Sequence, residues 1–187
     1  MTMRKAIEVV ANLAEQGVIK AYAVTGAVAT LAYVDPVLTQ DLDILVGVDD
    51  FDKRQSGLVL LTPIDSALAA MGYTERTGAG LIVEGWPVEF LPVASDLDAE
   101  ALREAIEVEF KAASPPFKAR VLRPEHIVAK AVEVGRLKDL ARVEAFLDQK
   151  SVDLAALSRV IERFALADAW RAFCVKSGRP DPLGEVR

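Results

Sequence analysis

A short, largely apolar run, Lys20 to Val24, passes through Thr25-Gly26 into a helix-compatible stretch, Ala27 to Tyr33. The run has the length of a buried strand, and glycine permits the sharp turn that redirects the chain into a helix. A strand that feeds a helix needs other strands to pair with. The chain is therefore expected to build an α/β domain around a sheet.

The flanking sequence extends the pattern. Residues 3 to 16 carry Ile7, Val10, Leu13 and Ala14 at helical spacing, with Gly17 where a helix stops. Asp35-Pro36 breaks the second helix, and Asp41 to Val46 alternates as a strand with Leu42 and Ile44 opposite Asp41 and Asp43. Thr62-Pro63 offers an N-cap and a first-turn proline for a helix through Ala70 that ends near Gly72. Three extended segments follow near Tyr73 to Arg76, Leu81 to Glu84 and Pro87 to Val93, joined by turns at Gly78 to Gly80 and Glu84-Gly85. They are expected to pair antiparallel.

Asp96 to Ile106 reads as a helix, and Val108 to Lys111 and Phe117 to Leu122 as short strands. Pro124 opens an all-helical remainder, with helices at about Glu125 to Val134, Lys138 to Gln149, Asp153 to Phe164 and Ala167 to Lys176. Ser151 or Asp153 can cap the third. The expected fold is α/β, of the α+β kind: a mixed β-sheet flanked by helices over residues 1–122, then a C-terminal helical region, 123–187, over one side of the cleft.

One cysteine, Cys174, excludes an intramolecular disulfide framework, and a single histidine leaves no zinc ligand set. The apolar stretch near the start is broken by Glu8 and lacks a small-residue cleavage site, so it reads as a helix. Apolar runs such as Ala21 to Ala23 or Leu58 to Leu61 fall far short of the roughly 18 residues that span a bilayer. A soluble, cytoplasmic protein without membrane contact is expected. The net charge of −6 argues against attraction of the whole surface to nucleic acid. Lys111, Lys118, Arg120, Arg123, Lys130, Arg136, Lys138 and Arg142 nevertheless face only Glu125, Glu133 and Asp139 within their stretch. This locally basic segment is expected to line the same cleft as the acidic strand.

The chemistry concentrates in Gly26, Asp41-Leu42-Asp43 and Glu89. Alternation places Asp41 and Asp43 on one strand face, with Cα atoms about 7 Å apart, so two carboxylates address one volume. Hard cations such as Mg²⁺ or Mn²⁺ take oxygen ligands, often one or two carboxylates together with substrate phosphates. Glu89, on a later strand, is the candidate third carboxylate for a two-metal site. The turn at Gly26 opens toward a helix, whose backbone amides could meet phosphate.

With these residues in place the chain resembles the nucleotidyltransferase superfamily, whose sites combine a Gly-Gly or Gly-Ser turn, an Asp-x-Asp strand and a later strand carboxylate. The matching residues are Gly26-Ala27, Asp41-Leu42-Asp43 and Glu89. The stretch His126 to Phe146 is similar to the helical signature of the AbiEii-like toxin branch through Lys130, Arg136, Lys138 and Asp139. Ala27 departs from the second small residue of the turn, and Glu89 from the usual Asp. The resemblance implies transfer of a nucleoside monophosphate from a nucleoside triphosphate to an acceptor, with an RNA end, a protein hydroxyl and a small molecule all open. It also implies that Asp41, Asp43 and Glu89 hold metal, and that Gly26, Ala27, Thr39, Lys130 and Lys138 meet the nucleotide. The rival reading is a non-catalytic nucleotide-binding or toxin-antitoxin-type interaction module, motivated by Ala27 and Glu89.

Plainer roles stand beside these. An Asp-x-Asp at a strand end can be a solvated face, Gly26 can serve the turn alone, and the lysines and arginine can be a solvated helix face. His126, after Pro124-Glu125 in a first turn, is expected at the surface, Cys174 in the core or incidental, and Trp86 and Trp170 are too isolated to define a stacking platform for bases.

Overall fold

The computed structural model describes residues 3–35, 39, 41–47, 61–78, 80–111 and 113–184. Its elements are α1 (Met3–Glu15), β1 (Ala21–Val24), α2 (Gly26–Thr30), β2 (Leu42–Gly47), α3 (Thr62–Ala70), β3 (Arg76–Thr77), β4 (Gly80–Val83) and β5 (Trp86–Pro92). They continue with α4 (Asp96–Arg103), β6 (Ile106–Phe110), β7 (Phe117–Val121), α5 (Pro124–Val134), α6 (Leu137–Asp148), α7 (Leu154–Arg163) and α8 (Ala167–Ser177). The expected helix breaker Pro36, most of the Leu58 to Leu61 run, Ala79 of the glycine turn and the last three residues lie outside the described residues.

The seven strands form one mixed sheet in the order β3-β4-β5-β2-β1-β7-β6. β2 is antiparallel to β1 and parallel to β5, while β7 is parallel to β1 and antiparallel to β6. β3, β4 and β5 pair antiparallel as expected. A strand covered on both faces needs apolar side chains at nearly every position. Accordingly Leu42, Ile44, Leu45 and Val46 of β2 are all buried, and Asp43 interrupts them.

Helices flank this sheet. α1 buries Ala6, Ile7, Val10 and Leu13, the helical stripe that the sequence spaces, and packs on β1 and β5. α4 is capped by Ser95, whose Oγ accepts from Asp98 N at 3.1 Å, while Asp98 Oδ2 accepts from Ala94 N at 3.0 Å. This reciprocal pair satisfies two donors at the helix start. α5 ends at Gly135 in the left-handed conformation, φ +70°, which suits glycine at a helix C-terminus. It packs against α2 and α4 on one side and against α6, α7 and α8 on others, so it joins the helical region to the sheet layer.

Several boundaries differ from the sequence reading. The helix expected over Ala27 to Tyr33 closes after Thr30. The helix expected to Ile106 stops at Arg103, because Ile106 starts β6 and pairs with Val121 of β7. Pairing at a sheet edge here overrides local helical spacing. Thr62 is the first helical residue rather than the cap, which is Leu61, and Asp153 rather than Ser151 caps α7 by accepting from Ala156 N.

Phe146 of α6 is fully buried, with its ring 6.2 Å from that of Tyr33 at the end of α2. Truncating such a side chain loses transfer free energy and leaves a cavity. Phe146→Ala is expected to lower the unfolding free energy by about 3–5 kcal/mol, read as a fall in the urea midpoint at unchanged slope.

Candidate functional site

β1 ends at Val24, and Thr25 N donates to Asp43 O at 2.9 Å, which brings the turn after β1 against the start of β2. Gly26 then adopts φ +64°. A Cβ on it would stand 1.9 Å from Asp43 Oδ2 and 2.9 Å from Cγ, so the carboxylate of Asp43 fills the room that the glycine leaves open. Two independent constraints, a left-handed backbone and a contact with no space for a methyl, select glycine at this position.

The register of the parallel pair β2·β5 aligns Asp43 with Glu89. Neighbouring strands lie about 4.8 Å apart and aligned residues share a face, so the two carboxylates stand side by side. Asp41 precedes β2 and is exposed. Thr39 Oγ1 donates to Asp41 Oδ1 at 3.1 Å or to its backbone oxygen at 3.0 Å, which ties the approach to β2. Burial pushes Asp43 up to a pKa of about 6, the charges of Asp41 and Glu89 push in the same direction, and Arg142 and Lys138 pull back.

Those cations belong to α6 and its cap. Asp139 is 2% exposed and accepts from Arg136 Nε at 2.5 Å and Arg142 Nη1 at 3.0 Å. Arg136 is stabilised as a cation first by Asp139, then by Asp43 and Glu89. Arg142 keeps its Nε buried without a partner, a guanidinium donor still to be satisfied. The sequence places Arg142 in the cleft only as one member of the basic stretch, without its tie to Asp139. The signal was available: its spacing of three from a buried Asp139 puts both on one turn.

The basic stretch therefore divides, against the expectation that all of it faces the carboxylates. Lys138, Arg136 and Arg142 act on them electrostatically. Lys118 instead pairs with Glu107, Arg120 donates to Leu102 O, and Arg123 donates to Glu104 O. Lys130 is bound by Asp98 of α4, with Glu133 at 3.9 Å. The short α2 also changes the expected phosphate cradle. Five residues sum few peptide dipoles, so charge for an anion comes from α6 rather than from α2. Ala27, the second residue of α2, is buried.

His126 is not at the surface: it is 2% exposed, with Nε2 3.2 Å from Glu100 Oε1. It lies on the face of α5 that meets α4, one turn before Lys130. Among the described residues, Glu100, Glu104 and His126 are the one group of three acidic, His or Cys residues with donor atoms all within 4.8 Å. Arg163 Nη1 already donates to Glu100 Oε2 at 2.5 Å and neutralises it. Asp41, Asp43 and Glu89 are not drawn to that closeness. Their donors are all carboxylate oxygens, that of Asp43 set directly against Gly26, with cations of α6 acting on them, a set that fits a hard divalent ion with a phosphorylated ligand.

No family model matches the chain, and no curated protein does. Among solved structures the chain is similar to a crystal structure of an antigenic nucleotidyltransferase-like protein from Paracoccidioides brasiliensis, at 16% identity and a TM-score of 0.49. The match covers 80% of this chain and 77% of that one. A likeness at that identity and TM-score carries no argument about chemistry. Among the described residues, no helix is long and apolar enough to cross a membrane.

The raised pKa of Asp43 has a definite sign. The folded state binds its proton more tightly than the unfolded chain, whose value is near 3.8, so this group costs stability as pH rises through about 6. Asp43→Asn is expected to be more stable than the parent above pH 7 by roughly 2–3 kcal/mol. The gain should shrink below pH 6 and vanish below the unfolded value, as read by urea denaturation at several pH values. An equal gain at every pH would show that charge is not its cause.

Proposed function

We propose that the chain transfers a nucleoside monophosphate from a nucleoside triphosphate to an acceptor hydroxyl. The observation that carries the reading is the close approach of Asp43 to Gly26, in register with Glu89 and answered by cations from α6. Three carboxylates and three basic side chains around one strand end suit a ligand that brings both a divalent cation and several phosphates.

In this reading Asp41, Asp43 and Glu89 hold magnesium or manganese, which supplies charge neutralisation and polarisation of the phosphorus under attack. Lys138 and Arg142 meet the phosphate oxygens, where charge grows as the leaving group departs. Asp139 acts through the arginines, since its carboxylate is spent on orienting them. The acceptor oxygen bonds to the α-phosphorus, the bond to pyrophosphate breaks, and the proton of the acceptor passes to a carboxylate or to water. Glu89, one methylene longer than Asp, is the nearest carboxylate partner of Asp43 in the sheet and is assigned to that end of the site. Gly26 keeps the approach clear of side chains.

The rival is a module that binds nucleotide without transfer. The wider spacing of Asp41, Asp43 and Glu89 relative to a three-donor cluster favours it. One experiment separates the two: the full chain incubated with α-labelled nucleoside triphosphates, magnesium, and cellular RNA or protein. Covalent label on an acceptor is expected, lost by about 100-fold or more in Asp43→Asn and reduced in Arg142→Gln. Saturable binding with no covalent label would assign the module.

Metal linkage gives an independent readout. Magnesium must displace the proton of Asp43, so its thermal stabilisation should be larger at pH 7.5 than at pH 5. Triphosphate should enlarge it, and Asp43→Asn should remove its pH dependence. A melting temperature indifferent to magnesium at both pH values would take the metal away from these residues.

A further inference from the structure

The strand β6 closes one end of the sheet and, among the described residues, pairs on one edge alone, with β7. The other end of the sheet is blunt, because β3 has two residues, both exposed. A five-residue strand with a free row of amides and carbonyls is a template for another extended segment. A groove of about 770 Å³ lies beside it. Five consecutive residues, 107–111, line that groove. Alternate residues of a strand point to opposite faces, so a groove touched by four successive residues of β6, Glu107 to Phe110, runs along the strand's edge rather than over one face. Its far wall is apolar, formed by Met3, Leu31, Tyr33 and Val34.

We propose that this groove binds an extended, basic segment of another protein, which adds to β6 as an eighth strand. Open backbone groups supply the pairing, and the apolar wall takes alternate side chains, the two parts of recognition by strand addition. The occupant's charge follows from the rim. Glu107, Glu109 and Asp35 line the groove with Lys111 as the one basic residue among its described lining, and all four are exposed. The chain as a whole carries −6. A second copy of the chain is disfavoured, since two β6 strands side by side would bring Glu107 and Glu109 against their equivalents. Glu109 and Asp35 attract lysine or arginine on an incoming strand, while Glu107 already pairs with Lys118.

The test uses the full chain and a labelled, end-blocked peptide of alternating lysine and valine. Saturable binding in roughly the micromolar range is expected, with slowed amide exchange at residues 107–111. A peptide with glutamate for lysine should bind at least about tenfold more weakly. Methylating the lysine–valine peptide's backbone nitrogens along one edge should abolish binding while leaving its charge intact. Glu109→Lys combined with Glu107→Gln, both exposed changes, should weaken the lysine peptide and strengthen the glutamate one. Binding that leaves residues 107–111 unprotected, equal binding of both peptides, a homodimer that protects these amides, or no binding would each overturn the proposal.

Discussion

One carboxylate sits where a side chain of residue 26 would be. That exclusion sets the terms for the surrounding structure. It requires glycine at the turn after β1 and leaves Asp43 half-buried at the start of a strand whose Leu42, Ile44, Leu45 and Val46 are all buried. Burying an acid raises its pKa unless charge of opposite sign is brought near. The register with β5 instead adds a second acid, Glu89, and Asp41 adds a third. The cluster is held together by the sheet against its own repulsion, and its partial compensation comes from α6, far along the chain.

Delivering those cations is the task of a set of buried polar contacts among the helices. Asp139 aligns Arg136 and Arg142 within α6. One helix earlier, Lys130 and His126 of α5 meet Asp98 and Glu100 of α4, and Arg163 of α7 closes on the same Glu100. Buried ion pairs contribute little net stability over apolar packing, yet removing one partner costs about 3–5 kcal/mol because the other charge is stranded. Their effect is on geometry. An α5 shifted by one turn would part Lys130 from Asp98 and His126 from Glu100, so the helices have one favourable docking, and that docking presents α6 to the carboxylates.

The fold was largely legible because its local signals agree. Helical spacing in α1, alternation in β2, and the glycines at 17, 26 and 135 each point to the element found. The misses lie where long-range contacts decide. Ile106 belongs to a strand because Val121 waits beside it, and α2 is short because the chain turns after Thr30 toward contacts that no local pattern encodes. At the candidate site, the turn, strand and third carboxylate could be named from spacing, since neighbouring strands bring them together. The basic stretch could not be sorted by sequence, because Lys130 and Lys138 differ in what faces them across the fold. His126 was misread for the same reason: its burial depends on Glu100, 26 residues away.

Asp43 and Glu89 lie on two adjoining strands near the middle of the sheet, with Asp41 just before the first, while the basic side chains that act on them follow residue 135. A chain emerging from synthesis thus holds the acidic half long before the basic half exists. Until α5 has docked and α6 has turned back, the pocket repels phosphate. If the site takes a phosphorylated ligand as proposed, affinity for it would report that the chain has folded through α6, because before then charge alone opposes binding.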